Sequence, residues 1–365
     1  MAAVPLRIVI AGGGTGGHLY PALAIADELR RRHPDAAITF AGAAHRIESR
    51  VVPEAGYPFT ALWISGFRRR LSPGTLLFPV KLAVAMGQSF ALILRAKPDV
   101  VVGTGGFASG PVLAAAELLG RRTLLQEQNS VPGATTRILA RCAGEVHVTF
   151  EESVRFFSRR GNVRVTGNPT RRAMGSVSRE AGAAHFGLDA ARPTVLAFGG
   201  SRGAASINSA VGACAPALAA DGVQIIWQTG VEEYARLRTT HGAHATMYPF
   251  IDNMEYAYAA CDIAVCRAGA TSLAELTQTG VPSILIPYPH AAADHQAGNA
   301  RAMEAAGAAL CLHDADAAAG LLPALRALLA DRPKLRAMGE AARRLARPGA
   351  AAAIADAVER LARTE

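Results

Sequence analysis

Short apolar runs closed by glycine or a small polar turn, each followed by apolar positions at helical spacing, recur along this chain and predict βαβ units on a parallel sheet. In the first half they fall at Arg7 to Ala11, Ala37 to Ala41, Asp99 to Gly103, Thr123 to Gln126 and Glu145 to Thr149. A polar stretch from Asn162 to Glu180, with Gly167, Pro169, Gly175 and several Arg and Ser, reads as a connector. A second series follows at Thr194 to Phe198, Gln224 to Gln228, Asp262 to Cys266 and Ser283 to Pro287, so the architecture repeats. Glycine-rich turns occupy matching places, Gly12 to Gly17 after the first strand and Gly199 to Gly203 after a strand of the second half, and both open helices. The pattern predicts an α/β chain of two Rossmann-like domains with parallel sheets facing across a cleft, since ligands of such sheets bind beyond the strand C-termini. Domain limits are expected at 1–165 and 166–345, with a C-terminal helix over 346–365.

Length agrees, because 365 residues exceed what one core usually serves. Half the residues are hydrophobic and 18% are charged, which supplies buried cores and excludes a disordered chain. The net charge of +9 favours an acidic partner without choosing among nucleic acid, anionic lipid and phosphorylated substrate. The five cysteines lack the paired spacing of a zinc site, which fits a reducing compartment, and Cys261 and Cys266 read as small apolar core residues. No charged segment followed by a long apolar stretch opens the chain, so no signal peptide is expected.

Gly12, Gly14 and Gly17 match the GxGxxG spacing of dinucleotide folds, a weak signal alone. An NAD site also calls for an acid ending the second strand, and none occurs between Phe40 and Glu48. The turn still offers backbone amides and a helix start to an anion or a closely approaching sugar. His18 follows on the first turn of the next helix, where a near-neutral imidazole suits a general base; a histidine that merely caps the helix is the competing reading. Gly199-Gly200-Ser201-Arg202-Gly203-Ala204 presents amides, a hydroxyl and a helix dipole to a diphosphate, or is a plain strand-to-helix turn. Glu275, about one turn into the helix after Arg267, suits ribose hydroxyls, unless it only complements the helix dipole. Gln296 and Asn299 lie beyond another strand end and suit sugar hydroxyls, against an exposed polar loop.

The sole DxD string, Asp314-Ala315-Asp316, lies away from both glycine-rich turns and reads as solvated surface or a helix start. Helix N-termini and Arg side chains are then left to stabilise a departing phosphate, with no metal. Between Glu54 and Asp99 no residue is acidic, while Arg68, Arg69, Arg70, Lys81, Arg95 and Lys97 are basic. The apolar segment inside, from Leu76 to Leu94, is interrupted by Pro79, Lys81, Gln88 and Ser89, which argues against a membrane-spanning helix. An interfacial contact with anionic lipid and a core helix with a basic solvent face stay equally open.

Taken together, Gly12 to His18, Gly105-Gly106-Phe107-Ala108-Ser109-Gly110-Pro111, Gln126-Glu127-Gln128-Asn129, Gly167-Asn168-Pro169-Thr170-Arg171 and Gly199 to Gly203 occur in the order of one known family. Phe250 to Met254, the Glu275 segment and Asp294-His295-Gln296 extend the match over nearly the whole chain. The chain resembles the bacterial MurG family, N-acetylglucosaminyltransferases that convert lipid I to lipid II in peptidoglycan synthesis. The resemblance implies a GT-B fold, with UDP-N-acetylglucosamine on the C-terminal domain and the lipid-linked acceptor on the N-terminal one. It implies that the Ile251 backbone contacts uracil, that Ser201 and the amides of Ala270, Thr271, Ser272 and Leu273 hold the diphosphate, and that Ala274 and Glu275 complete the segment, with Glu275 on the ribose. Gln296 would hold the sugar and Arg171 would sit near the nucleotide. Thr15, Gly16, Gly17 and Asn129 would border the donor sugar and acceptor, with His18 as base for the C4 hydroxyl of the muramoyl sugar.

The mechanism so implied is an inverting single displacement with no cofactor and no metal. The implied partners are UDP-N-acetylglucosamine, lipid I, the anionic inner-membrane surface reached from the cytoplasmic side through residues 63–97, and other cell-wall synthesis proteins, without nucleic acid. Three alternatives remain: a related glycosyltransferase acting on diacylglycerol, a nicotinamide oxidoreductase, and an idle sugar-nucleotide-binding module that recruits wall-synthesis proteins.

Overall fold

The computed structural model describes residues 5–66, 77–200, 203–291 and 294–363. They form two compact units, Met1–Arg171 with Arg347–Glu365, and Arg172–Ala346.

The first unit holds β1 (Arg7–Gly12), β2 (Ala37–Ala43), β3 (Phe59–Leu62), β4 (Val100–Gly105), β5 (Arg122–Glu127), β6 (Glu145–Val148) and β7 (Val163–Val165). All pair in parallel, in the order β3-β2-β1-β4-β5-β6-β7. Because strand side chains alternate, Ile8, Ile10, Ile38 and Phe40 share one face with Leu19, Ile25 and Leu29 of the Gly16–Arg32 helix. Val9, Ala11 and Ala41 share the other with Leu92 and Ile93 of the Phe78–Ala96 helix and Val112 and Leu113 of the Ser109–Leu118 helix. Covered on both faces, the central strands are apolar along most of their length, and each fully buried Ile, Leu or Phe contributes roughly 1.5–3 kcal/mol.

The C-terminal Ala350–Arg363 helix adds Ile354, Ala355, Ala357 and Val358 to the same face as Leu19. Its polar side ties back through Asp356 to Arg32 at 2.5 Å and Arg360 to Glu145 at 3.0 Å.

The second unit holds β8 (Thr194–Phe198), β9 (Gln224–Gln228), β10 (Thr246–Tyr248), β11 (Ile263–Cys266), β12 (Ser283–Leu285) and β13 (Ala309–Cys311), parallel in the order β10-β9-β8-β11-β12-β13. Cys261 and Cys266 lie in its core, as the sequence suggests, and burial pushes both thiols up. In each sheet the chain reverses its direction of winding at one point, between β1 and β4 and between β8 and β11, which is where doubly wound folds bind ligands.

The short edge strands β3, β7, β10 and β13 escape the sequence pattern. One of them, β7, lies inside the stretch read as connector, with Val163 paired to Val146. The Phe78–Ala96 helix is long and apolar enough to cross a membrane by length and composition, with a mean hydropathy of 1.2 over its best window, and 22% of that window is buried. Val80, Leu82, Val84 and Leu94 are exposed, so the core-helix reading accounts for only the stripe around Ala85, Leu92 and Ile93. Trp63 is exposed and Lys81 Nζ stands 5.7 Å from its ring; Arg68, Arg69 and Arg70 lie outside the described residues.

Candidate active site

In the first unit β1 runs into Gly13 and Gly14, whose φ of +140° and +85° only glycine adopts readily. Thr15, extended, starts the Gly16–Arg32 helix with no side-chain cap. Beneath this turn lies the fully buried carboxylate of Glu48, which accepts the Gly14 amide with both oxygens at 2.9 Å and the Ala43 amide at 3.0 Å. A Cβ at Gly13 would stand 2.3 Å from Glu48 Cδ. The expectation that this turn offers its amides to an anion is thereby corrected for Gly14: the protein's own acid takes that amide. Glu48, dismissed as too distant for a ribose, instead braces the turn.

His18 is half-buried on the helix's first turn, its Nδ1 3.1 Å from the Thr104 carbonyl oxygen and 3.0 Å from Gln128 Oε1. Thr104 Oγ1 donates back to the His18 carbonyl at 2.9 Å. The chain can approach so closely because Gly105 and Gly106 have φ of +90° and +82°, and a Cβ on Gly106 would stand 2.2 Å from the Gly13 oxygen. At the end of β5, buried Glu127 accepts the backbone and side-chain amides of Asn129, both at 3.0 Å, and fixes that residue. Thr15 and Gly17 are exposed, Gly16 is buried, and the Arg171 guanidinium lies 5.4 Å from the Tyr20 ring. The first unit thus gathers the Thr15 to His18 turn and the Gly105-Gly106 turn, with Gln128 alongside.

In the second unit Gly199, Gly200 and Gly203 frame the turn after β8; Ser201 lies outside the described residues. A Cβ on Gly203 would meet the Thr229 oxygen at 2.1 Å, whereas Gly200 has open space around it. Gln228, closing β9, ties this turn to the next loop: its Nε2 donates to the Gly200 oxygen at 3.0 Å and its Oε1 accepts the Ile251 amide at 2.8 Å. The Ile251 amide is therefore already occupied, which leaves its carbonyl for the base contact that the resemblance implies.

The Ala270–Thr279 helix follows β11 with Gly269 at its start, no side-chain cap and no acid in its first turn. The amides of Ala270, Thr271 and Ser272 precede the first intrahelical bond, while Leu273 donates to the Gly269 oxygen at 3.0 Å, which removes Leu273 from the expected set of diphosphate donors. Ala274 is half-buried. Glu275 is buried and accepts the Tyr258 hydroxyl at 3.0 Å; burial, with Glu275 beside it, pushes that hydroxyl well up, so it stays a donor. Gln296 Oε1 accepts the Tyr288 amide at 3.0 Å, and Asn299 donates to the Ala268 oxygen at 3.0 Å.

Asp314 corrects another expectation. The Asp314–Asp316 turn leads directly into the Ala317–Ala330 helix, so the helix-start reading holds; its remoteness does not, since Asp314 accepts Ser206 Oγ, on the helix opened by the second glycine turn, at 2.6 Å and pairs with Arg267. Burial works to raise its carboxyl, but the hydrogen bonds from Ser206 and Arg267 hold it below the usual range. Sequence reasoning assigned no role to Glu48, Thr104, Gln128, Gln228 or Tyr258; a polar residue closing an apolar strand, as in Gln228, was the one visible signal.

Comparison with known proteins settles the class first. The model of the glycosyltransferase family 28 N-terminal domain matches residues 8–148 and that of the C-terminal domain matches 194–361. The crystal structure of Acinetobacter baumannii MurG superposes with a TM-score of 0.73 at 28% identity, over 98% of this chain and 100% of that one. The UDP-N-acetylglucosamine--N-acetylmuramyl-(pentapeptide) pyrophosphoryl-undecaprenol N-acetylglucosamine transferase of Chlorobaculum tepidum is 48% identical, covering 98% of this chain and 100% of its own. The protein of the same name from Salinibacter ruber is 45% identical, covering 98% and 97%. The chain belongs to glycosyltransferase family 28, and within it to the MurG group.

Proposed function

We infer that this chain transfers N-acetylglucosamine from UDP-N-acetylglucosamine to the C4 hydroxyl of the muramoyl sugar of undecaprenyl-pyrophosphoryl N-acetylmuramyl-pentapeptide, with inversion and without a metal. The carrying observation is a division of chemistry between the units, in a chain alike over its full length to transferases of that name. One unit carries the half-buried imidazole of His18 between two glycine turns; the other carries an uncapped helix start followed by the Tyr258-held carboxylate of Glu275.

In this reading the acceptor oxygen forms a bond to the anomeric carbon as the bond to UDP breaks, and its proton passes to His18. Glu275 accepts ribose hydroxyls, the Ile251 carbonyl meets the uracil, and Gln296 faces the sugar. Ser201 and the amides of Ala270, Thr271 and Ser272, at the positive end of a helix dipole, stabilise the departing diphosphate. Thr15, Gly16, Gly17 and Asn129 border the acceptor, with Arg171 near the nucleotide. The exposed apolar stripe of Phe78–Ala96, with Trp63, Lys81, Arg95 and Lys97, lays the first unit on the anionic cytoplasmic face of the inner membrane as a peripheral protein.

The test is transfer of radiolabelled sugar from UDP-N-acetylglucosamine to a lipid I analogue with EDTA present. Transfer to lipid I and none to diacylglycerol is expected; diacylglycerol as the sole acceptor would overturn the acceptor, and loss of activity in EDTA would overturn the metal-free mechanism. Co-sedimentation with anionic but not neutral vesicles, weakened in Val80→Glu, tests the membrane face.

A further inference from the structure

His18 Nδ1 faces two oxygens, the Thr104 carbonyl at 3.1 Å and Gln128 Oε1 at 3.0 Å. A main-chain carbonyl can only accept, so the ring nitrogen beside it must carry a proton. The orientation of the Gln128 amide is independently determined. Its Nε2 donates to the same Thr104 oxygen at 2.6 Å and to Gln126 Oε1, which uses both of its protons and turns Oε1 toward the imidazole. Gln126 is fixed in turn, because its Oε1 is occupied by Gln128 and its Nε2 donates to Asn168 Oδ1 at 3.2 Å. Gln126, Gln128 and Asn168 are all buried, where an unsatisfied amide costs roughly 1–3 kcal/mol, so a flip of any one would leave like atoms facing each other without water to relieve them. The opposite ring nitrogen, Nε2, has no hydrogen-bond partner among the described residues.

We propose that Gln128, together with the Thr104 carbonyl, holds the proton of His18 on Nδ1 and so makes Nε2 the basic nitrogen, with Gln126 and Asn168 locking Gln128 in the required orientation. Gln128 is thus a positioning residue for the base, and the buried amides form a chain that runs from the Gly167-to-Arg171 segment to the imidazole. This rests on the reading of His18 as the base. When the acceptor hydroxyl gives its proton to Nε2, the ring becomes imidazolium with both nitrogens protonated, and the Nδ1 proton stays on the same two oxygens. The neutral carboxamide at Gln128 does the orienting that a carboxylate performs beside many catalytic histidines, without adding a negative charge where a diphosphate has to depart.

The experiment combines ring-nitrogen NMR of the full chain labelled with 15N-histidine and steady-state kinetics of Gln128→Leu and Gln126→Leu. With the His18 signal assigned by its disappearance in His18→Ala, the wild-type ring is expected to show the proton on Nδ1 when neutral; a proton on Nε2 overturns the proposal. Gln128→Leu is expected to lose about tenfold or more in kcat at unchanged KM for UDP-N-acetylglucosamine, since general-base catalysis as a whole supplies on the order of 10²–10⁴. Gln126→Leu, which loosens the chain one link further away, is expected to lose less, and it decides the matter if Gln128→Leu fails to fold. Wild-type kcat in a folded Gln128→Leu protein overturns the proposal. Full activity in His18→Ala, with the Nδ1 proton still found in the wild type, sinks the base reading alone.

Discussion

In the first unit the turn after β1 closes around an acid: Glu48, fully buried and 34 positions along from Gly14, takes that residue's amide with both carboxylate oxygens. In the second unit the turn after β8 is held by a neutral amide, Gln228, and the acid that reaches its helix, Asp314, is matched by Arg267. Two glycine-rich strings in equivalent places are therefore braced by different groups. Both helices that follow, Gly16–Arg32 and Ala205–Ala220, lack a side-chain cap and an acid in the first turn, so the difference lies in what braces the turn: a buried carboxylate on the Gly14 amide in one, the Gln228 side-chain amide on the Gly200 oxygen in the other. Glycine punctuation says that a backbone comes close; what sits beneath it decides which of its backbone groups are already bound.

The comparison breaks most visibly at the chemistry. His18→Ala is expected to cut kcat by roughly 10²–10⁴ while UDP-N-acetylglucosamine still binds, as measured by calorimetry, since the proposed donor site lies on the other unit. Glu275→Ala acts on the other side: losing a charged hydrogen bond of about 1.5–3 kcal/mol raises the KM for the donor by roughly 10–100-fold, and Tyr258→Phe does so less. Glycine substitutions separate the two units by stability, Gly106 lying in the turn after β4 that packs against Gly13. Gly106→Ala forces a Cβ to within 2.2 Å of the Gly13 oxygen and is expected to lower the unfolding midpoint by several degrees or abolish folding, while Gly200→Ala, with open space around it, costs about 1 kcal/mol for its positive φ. The smallest effect is Glu28→Gln. Hydrogen bonds from Arg31 and Arg32 hold the Glu28 carboxyl at about 2, so its contribution is complete above the ordinary value of 4.5 and is lost as pH falls toward 2. The gap in melting temperature between wild type and variant is expected to close over that window.

The sequence carried the central strands well because strands covered on both faces are apolar at every position, as in Ile8-Val9-Ile10 and Val100-Val101-Val102. It did not carry the edges: Thr246–Tyr248 and Ala309–Cys311 are three residues each, half-buried, and too short for any period to register. Residues placed by proximity to a turn in the chain, such as His18 and Glu275, were legible because the helix start itself locates them. The residues that orient them were not. Glu48, Gln128 and Tyr258 act on atoms 34, 110 and 17 positions away, and a long-range hydrogen bond leaves no local pattern. Asp314 was placed correctly at a helix start but wrongly away from the second glycine turn, for the same reason, since its partners Ser206 and Arg267 lie 108 and 47 positions off.

The return of the Ala350–Arg363 helix to the face shared by Ile8 and Leu19 sets an order of events at the ribosome. The N-terminal half is made first, yet one flank of its sheet lacks part of its cover until residues 350–363 emerge, after the entire intervening unit has been made. A nascent or truncated chain lacking that helix exposes Leu19, Ile25 and their neighbours, an apolar surface open to chaperones or aggregation. Synthesis of the Ala350–Arg363 helix is thus a condition for finishing the half that was begun first.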